Sequence, residues 1–176
     1  MVLPTNNSRS RTRCTAAAAL IVMIAGCQTA TPDFEYVYLP GTEIGSGANL
    51  PFTPAITVRG GRIVFLSGIT VAPVPHSHPH VPAEFDDLDF TAEAQTEAIM
   101  DRLQETLRAA GGELGDVVQV TRFITDIGTN QNAVNAVMNR YWGDNHRPAS
   151  TSVEIVRLAT DPRFILEVEA VAVIPD

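Results

Sequence analysis

Glu167 stands between Leu166 and Val168 in residues 164–174, a stretch otherwise nearly all apolar. A carboxylate in such a strand must be hydrogen-bonded or paired, whether it lines a pocket or serves the fold. In a pocket it can take a proton from water and act as a general base. His76-Ser77-His78-Pro79-His80 is a second grouping with chemistry in it. Alternating histidines in an extended strand point to one side, where imidazoles can share a metal ion. Pro75 and Pro79 interrupt that geometry, no cysteine lies nearby, and Glu84, Asp86 and Asp87 could join only by loop folding. The segment therefore reads as a surface loop, with adventitious zinc or copper binding as the alternative, and no metal site is predicted. Ser67 before Gly68 either ends a strand at a bulge or offers a hydroxyl and bare backbone to a ligand. Arg147 either reaches a cleft mouth or is a solvated loop arginine.

These residues must be positioned by one domain of ordinary size. The chain has 176 residues, 45% of them hydrophobic and 18% charged, with a net charge of −8. That is enough apolar content for a core and too much for a disordered chain. All 12 basic residues are arginine, and Arg9, Arg11 and Arg13 precede residue 27 while no acid does. The remainder is strongly acidic, which leaves no basic face for phosphates and excludes a nucleic-acid partner. Two cysteines exclude a disulfide scaffold.

Residues 1–26 read as an address. Three arginines precede an uninterrupted small and apolar run over residues 16–24, followed by Ala25-Gly26-Cys27. A positive start, a short apolar stretch and small residues at its end make a secretory signal peptide. The run is shorter than the roughly 20 residues of a spanning helix. Ile24-Ala25-Gly26-Cys27 resembles the lipobox of bacterial lipoproteins, which implies cleavage before Cys27 and lipidation of it. Multiple acyl chains give stable anchoring. The expected product is an exported, membrane-anchored protein at the cell envelope or in the periplasm, with residues 27–34 as a polar tether and 35–176 as the domain.

Within that domain, residues 35–39 predict an edge strand. Residues 55–59 and 62–66 are β-rich runs on either side of Gly60-Gly61, a hairpin signal. Residues 71–89 form a long loop with four prolines. Residues 91–110 predict a helix with Ala94, Ala98, Ile99, Leu103, Leu107 and Ala110 on one stripe and Gly111 as its stop. A strand over 117–125 leads to a second helix over 130–142, with Val134, Val137, Met138 and Tyr141 inward. Strands over 150–157 and 164–174 close the chain. The order is β-β-β-α-β-α-β-β, an α+β sandwich with a mixed β-sheet and two helices on one face. The last strand is apolar on both sides, and no third layer covers it, so oligomerisation is the expected cover.

The stretch from Arg147-Pro148-Ala149-Ser150 through Leu158, then Leu166-Glu167-Val168-Glu169-Ala170, resembles the C-terminal signature of the reactive-intermediate deaminase family. That family is also called RidA, YjgF or L-PSP endoribonuclease. Phe65-Leu66-Ser67-Gly68, Ala94-Gln95, Ala109-Ala110-Gly111-Gly112 and Val134-Asn135-Ala136 agree in order and spacing, over about residues 36–174. The resemblance implies a chorismate-mutase-like fold, a homotrimer, and small-molecule clefts between subunits. It also implies hydrolysis of reactive imines and enamines without metal or cofactor. On this pattern Glu167 handles the attacking water, while Ser67, Gly68, Phe52, Asn135, Ser150 and Ser152 line the ligand site. Deaminating members carry at position 150 an arginine that grips the substrate carboxylate by a two-pronged, charge-assisted bond. Here it is Ser150, with Phe52 in place of a frequent tyrosine and Ser152 in place of a frequent cysteine. Two functions follow: imine or enamine hydrolysis with altered specificity, or a non-catalytic small-molecule-binding or scaffold trimer at the envelope. The ribonuclease activity of the family name conflicts with the acidic charge.

The lipobox yields the first prediction. The full chain expressed in a bacterium should partition with membranes, and Cys27→Ala should move it to the soluble fraction; unchanged partitioning of the variant would remove the anchor.

Overall fold

The computed structural model describes residues 31–43, 46–47 and 50–176. The signal segment and Cys27 lie outside the described residues. The strands are β1 (Asp33–Val37), β2 (Ala55–Arg59), β3 (Arg62–Ile69), β4 (Val117–Thr125), β5 (Ala149–Ile155) and β6 (Leu166–Ile174). The helices are α1 (Ala92–Ala110), between β3 and β4, and α2 (Ile127–Trp142), between β4 and β5. The element order is the expected one. No described helix is long and apolar enough to cross a membrane.

The main sheet runs β3-β6-β4-β5, with β4 and β5 parallel and the other pairs antiparallel. β1 and β2 form a separate antiparallel pair. The hairpin expected around Gly60-Gly61 is therefore not formed, because the two strands it joins belong to different sheets. Both glycines do take positive φ, +74° and +78°. The turn hands the chain across to β6, where Gly61 sits so close to the Ile174 carbonyl and Val173 that a Cβ would clash. Pairing with β6 puts Val64 and Leu66 of β3 beside Ala172 and Ala170 on the buried face. Burial on that scale outweighs what a local hairpin offers.

Both helices cover the same face of the sheet. Ile99, Met100, Leu103 and Leu107 of α1 and Val134 and Met138 of α2 meet Val120, Ile124, Leu166, Val168, Ala170 and Ala172 from the strands. Thr91 caps α1 by accepting the Ala94 N–H, and Gly111 ends it at φ +92°. The buried stripe of α1 is rotated from the expected one, since Gln95, Thr96 and Met100 are buried while Ala94 and Ala98 are only half-buried. Gln95 explains the rotation. Its Nε2 donates to the carbonyls of Phe90 at 3.0 Å and Arg163 at 3.1 Å, and its Oε1 accepts the Ile165 N–H at 3.0 Å. One amide thus satisfies three backbone groups where α1 starts and β6 is entered.

The opposite face of the sheet is open along β3, although Val173 of β6 on that face is only 4% exposed. Ile63 and Phe65 of β3 are 62% and 80% exposed, beside Val173 and Val171 of β6. The final strand is thus buried on its helix side, while Glu169 on the other side is exposed.

Gln95→Ala removes the partners of three half-buried backbone groups, each hydrogen bond contributing about 1 kcal/mol. We expect unfolding free energy to fall by about 3 kcal/mol in urea titration; a loss within about 0.5 kcal/mol of zero, the range of ordinary surface changes, would show that water replaces the amide.

Candidate functional site

Strand alternation divides the expected site residues into two groups. Leu166 and Val168 face the helices, so Glu167 between them faces the opposite side, directly across from Phe123 of β4. Ser150 and Ser152 pair with Val120 and Arg122 of β4 and so face the helices. Within one chain the sheet itself stands between Glu167 and Ser150.

The first group is Glu167 with Gly68. The β3–β6 register shifts between Leu66 and Ile69, so Ser67 and Gly68 form a bulge. Glu167 fills the space this creates: a Cβ on Gly68 would lie 1.8 Å from Glu167 Oε1. The carboxylate therefore rests on bare backbone at the bulge, which is the reason glycine is needed there. Ser67 and Gly68 line an open groove of about 290 Å³ together with Phe65 and Thr106, at the free edge of β3.

The second group lies at the other edge of the sheet, beside α2. Asn135 of α2 accepts a hydrogen bond from Arg122 Nη1 at 2.5 Å. Arg122 is only 7% exposed, and burial pushes its guanidinium below the ordinary arginine value. It has no carboxylate partner among the described residues. Its remaining neighbour is Met138 Sδ at 4.0 Å, and its Nε is buried without a partner. Ser150 Oγ, on the same face, is also buried and unpaired. Phe52 is tied to this end through its neighbour Thr53, whose hydroxyl donates to the Arg147 carbonyl at 2.6 Å and whose N–H meets the Pro148 carbonyl at 3.4 Å. Arg147 does not serve a cleft, because its guanidinium donates to the carbonyls of Gly143 and His146 at the end of α2. His146 lies beneath it, held by Tyr36 at 3.1 Å and driven below the usual histidine value by burial.

Residues 47–174 match the endoribonuclease L-PSP family, a match that spans most of the chain and every element from β2 onward. The chain belongs to that RidA/YjgF family. Among its relatives, protein DfrA of Myxococcus xanthus is 32% identical over 123 residues, covering 70% of this chain and 85% of that protein. The 2-iminobutanoate/2-iminopropanoate deaminase of Escherichia coli is 29% identical over 134 residues, covering 75% and 94%. A YjgF/YER057c/UK114 family structure from Mycobacterium tuberculosis aligns with TM-score 0.51 and 27% identity, over 81% of this chain and all of that one. The Rid-family protein YyfB of Yersinia pestis shares the fold at TM-score 0.62 and 21% identity, over 80% and 98%. The α+β architecture expected from the family is thus the one observed.

Arg122 is the residue that sequence reading misses. Its strand, residues 117–125, reads as plain β-branched core, and one arginine there has the look of an outward-facing position. Its alternation with the apolar residues Val120 and Ile124 was the available signal, since it puts Arg122 on their inward face.

A buried, uncompensated cation destabilises the chain that carries it. Arg122→Met should therefore raise unfolding free energy by about 1 kcal/mol in urea titration, the stabilisation expected when an apolar side chain of similar length replaces a buried charge. A large loss of stability would instead make Arg122 part of the scaffold.

Proposed function

We propose that the protein hydrolyses a small reactive imine or enamine in a cleft between neighbouring subunits of a homotrimer, held at the cell envelope by lipid on Cys27. The observation that carries this reading is the separation of Glu167 and Arg122 by the sheet. A site using both the water-handling carboxylate and the cation needs one wall from each of two chains. The open face with Ile63 and Phe65 provides apolar surface for such an assembly. The deaminase among the relatives supports the reaction class.

In this reading Glu167 removes a proton from water as the water oxygen attacks the imine carbon. The C=N electron pair passes to nitrogen, which takes up a proton. The carbinolamine then collapses, expelling ammonia and leaving a carbonyl, so imine plus water gives carbonyl plus ammonia. An enamine enters the same path once its carbon is protonated. Ser67 and Gly68 sit beside Glu167 and position the ligand with a hydroxyl and bare backbone. The other wall carries Ser150, Ser152, Asn135 and Phe52.

Specificity is altered because the guanidinium has moved. Ser150 contributes a neutral hydroxyl where deaminating members grip a carboxylate, while Arg122 brings a cation from the adjacent strand, fixed by Asn135. An anionic substrate would therefore sit deeper against α2 than over β5. Replacing one charge-assisted pair by a neutral contact forfeits about 1.5–3 kcal/mol, or one to two decades of affinity.

The test is turnover of 2-iminobutanoate. The natural chain should be slow. Ser150→Arg alone sets two guanidiniums on one buried face and should give only partial rescue. Ser150→Arg with Arg122→Val should raise turnover about tenfold or more, reversing that loss. Glu167→Gln should then abolish it. Fast turnover by the natural chain would overturn the altered specificity, and rescue surviving Glu167→Gln would remove Glu167 from the chemistry. No turnover by the double variant, with ligand binding intact, would favour the non-catalytic binding trimer.

A further inference from the structure

The loop between β3 and α1 draws together three of the chain's four histidines. One ring nitrogen from each of His76, His78 and His80 lies within 4.8 Å of the other two. Their ring centroids are 4.7 Å apart for His76–His78, 4.7 Å for His78–His80 and 5.2 Å for His76–His80. The arrangement is not the strand alternation that Pro75 and Pro79 forbid; the loop folds around the rings instead.

Several contacts hold this geometry. His76 packs edge-on against Phe85, 5.8 Å between centroids, and Phe85 is fully buried against Phe164. Ser77, between the first two histidines, is clamped by Glu84, which accepts its N–H at 2.8 Å and its hydroxyl. His76 Nδ1 lies 2.7 Å from the Pro73 carbonyl. A carbonyl only accepts, so Nδ1 donates there and Nε2 is the nitrogen left to face a metal. A ligating histidine is usually oriented in this way, with its second nitrogen donating to a carbonyl or carboxylate.

We infer that His76, His78 and His80 form a three-histidine site for a divalent cation, zinc in the first instance, with its fourth position open to solvent. Zinc takes neutral imidazole at about 2.0–2.1 Å, which puts tetrahedral ligand atoms about 3.4 Å apart. From the 4.8 Å limit the nitrogens need to close by about 1.4 Å at most, within reach of loop side chains. An all-imidazole set without thiolate suits zinc, copper(II) or nickel(II) and disfavours calcium and magnesium, which want oxygen. His76 also borders an open groove of about 370 Å³ together with Pro75, Ser77 and Glu84. The site is distinct from Glu167 and Arg122, and bound metal would tie residues 76–80 into one closed unit.

The full chain, purified in detergent and stripped with chelator, is titrated with zinc chloride by calorimetry and with cobalt(II) by absorption. About one ion per chain should bind, with cobalt giving the intense visible bands of a tetrahedral site. No thiolate-to-cobalt charge-transfer band should appear, as an all-imidazole site requires. His78 is exposed, so His78→Ala should fold normally and weaken zinc about tenfold or more. His76→Ala and His80→Ala should do the same, while His146→Gln leaves affinity unchanged. Failure to bind zinc at micromolar concentration would overturn the assignment. So would affinity indifferent to His78→Ala, or cobalt spectra showing only octahedral coordination.

Discussion

Strand β6 is hydrogen-bonded along both edges, to β3 on one side and β4 on the other, and the rest of the domain is arranged around that fact. Being central, it has no freedom to slip by one residue without turning all its side chains over. Leu166, Val168, Ala170 and Ala172 therefore lie permanently under the helices, and Glu167 and Glu169 permanently on the opposite face. The bulge at Ser67–Gly68 depends on the same register, because it is where β3 yields to the Glu167 side chain. A carboxylate fixed by a central strand and seated on a glycine is a precise object. A loop could not hold it as well.

The same alternation acts on β4, where it gives an opposite result. Val120 and Ile124 bring ordinary core side chains inward, and Arg122 between them carries a charge into the same layer. Two buried polar residues illustrate what distinguishes support from function. Gln95 meets three backbone groups and leaves nothing wanting, so it belongs to the scaffold. Arg122 meets one amide oxygen and a thioether, and its Nε is left over. Burying a guanidinium without an anion is a cost no fold needs to bear. That imbalance, next to the unpaired Ser150 hydroxyl, is what the proposed site would use to hold an anionic ligand.

Much of this was legible in the sequence. Apolar periodicity located both helices and the strand over residues 117–125, and Gly111 stopped α1 where expected, because these features depend on neighbours a few residues apart. The partner of β3 was not legible. Gly60-Gly61 carries the local signature of a hairpin, yet β6, more than a hundred residues later, offers more apolar surface to bury. Nor could local pattern show that α1 rotates to bury Gln95, since its partners come from the start of β6. Family resemblance named Glu167, Ser150 and Asn135, but it compares position with position. It could register the arginine absent at 150 and had no means of finding one on the adjacent strand.

The histidine loop makes the complementary point about local rules. Alternation along a strand is one way to bring imidazoles together, and two prolines exclude it here. They do not exclude convergence, because a loop anchored at both ends has other routes. Phe85, packed on Phe164, fixes one end of this loop to the core, and Glu84 immediately before it grips Ser77. Arg163 reinforces the anchor by pairing with Asp86 and Asp161 and donating to the Pro82 carbonyl. The three rings sit 4.7–5.2 Å apart at the surface, each with a ring nitrogen near those of the other two. A shared cation would give each lone pair a partner, and it is the one kind of ligand for which this much ordering of a surface loop makes energetic sense.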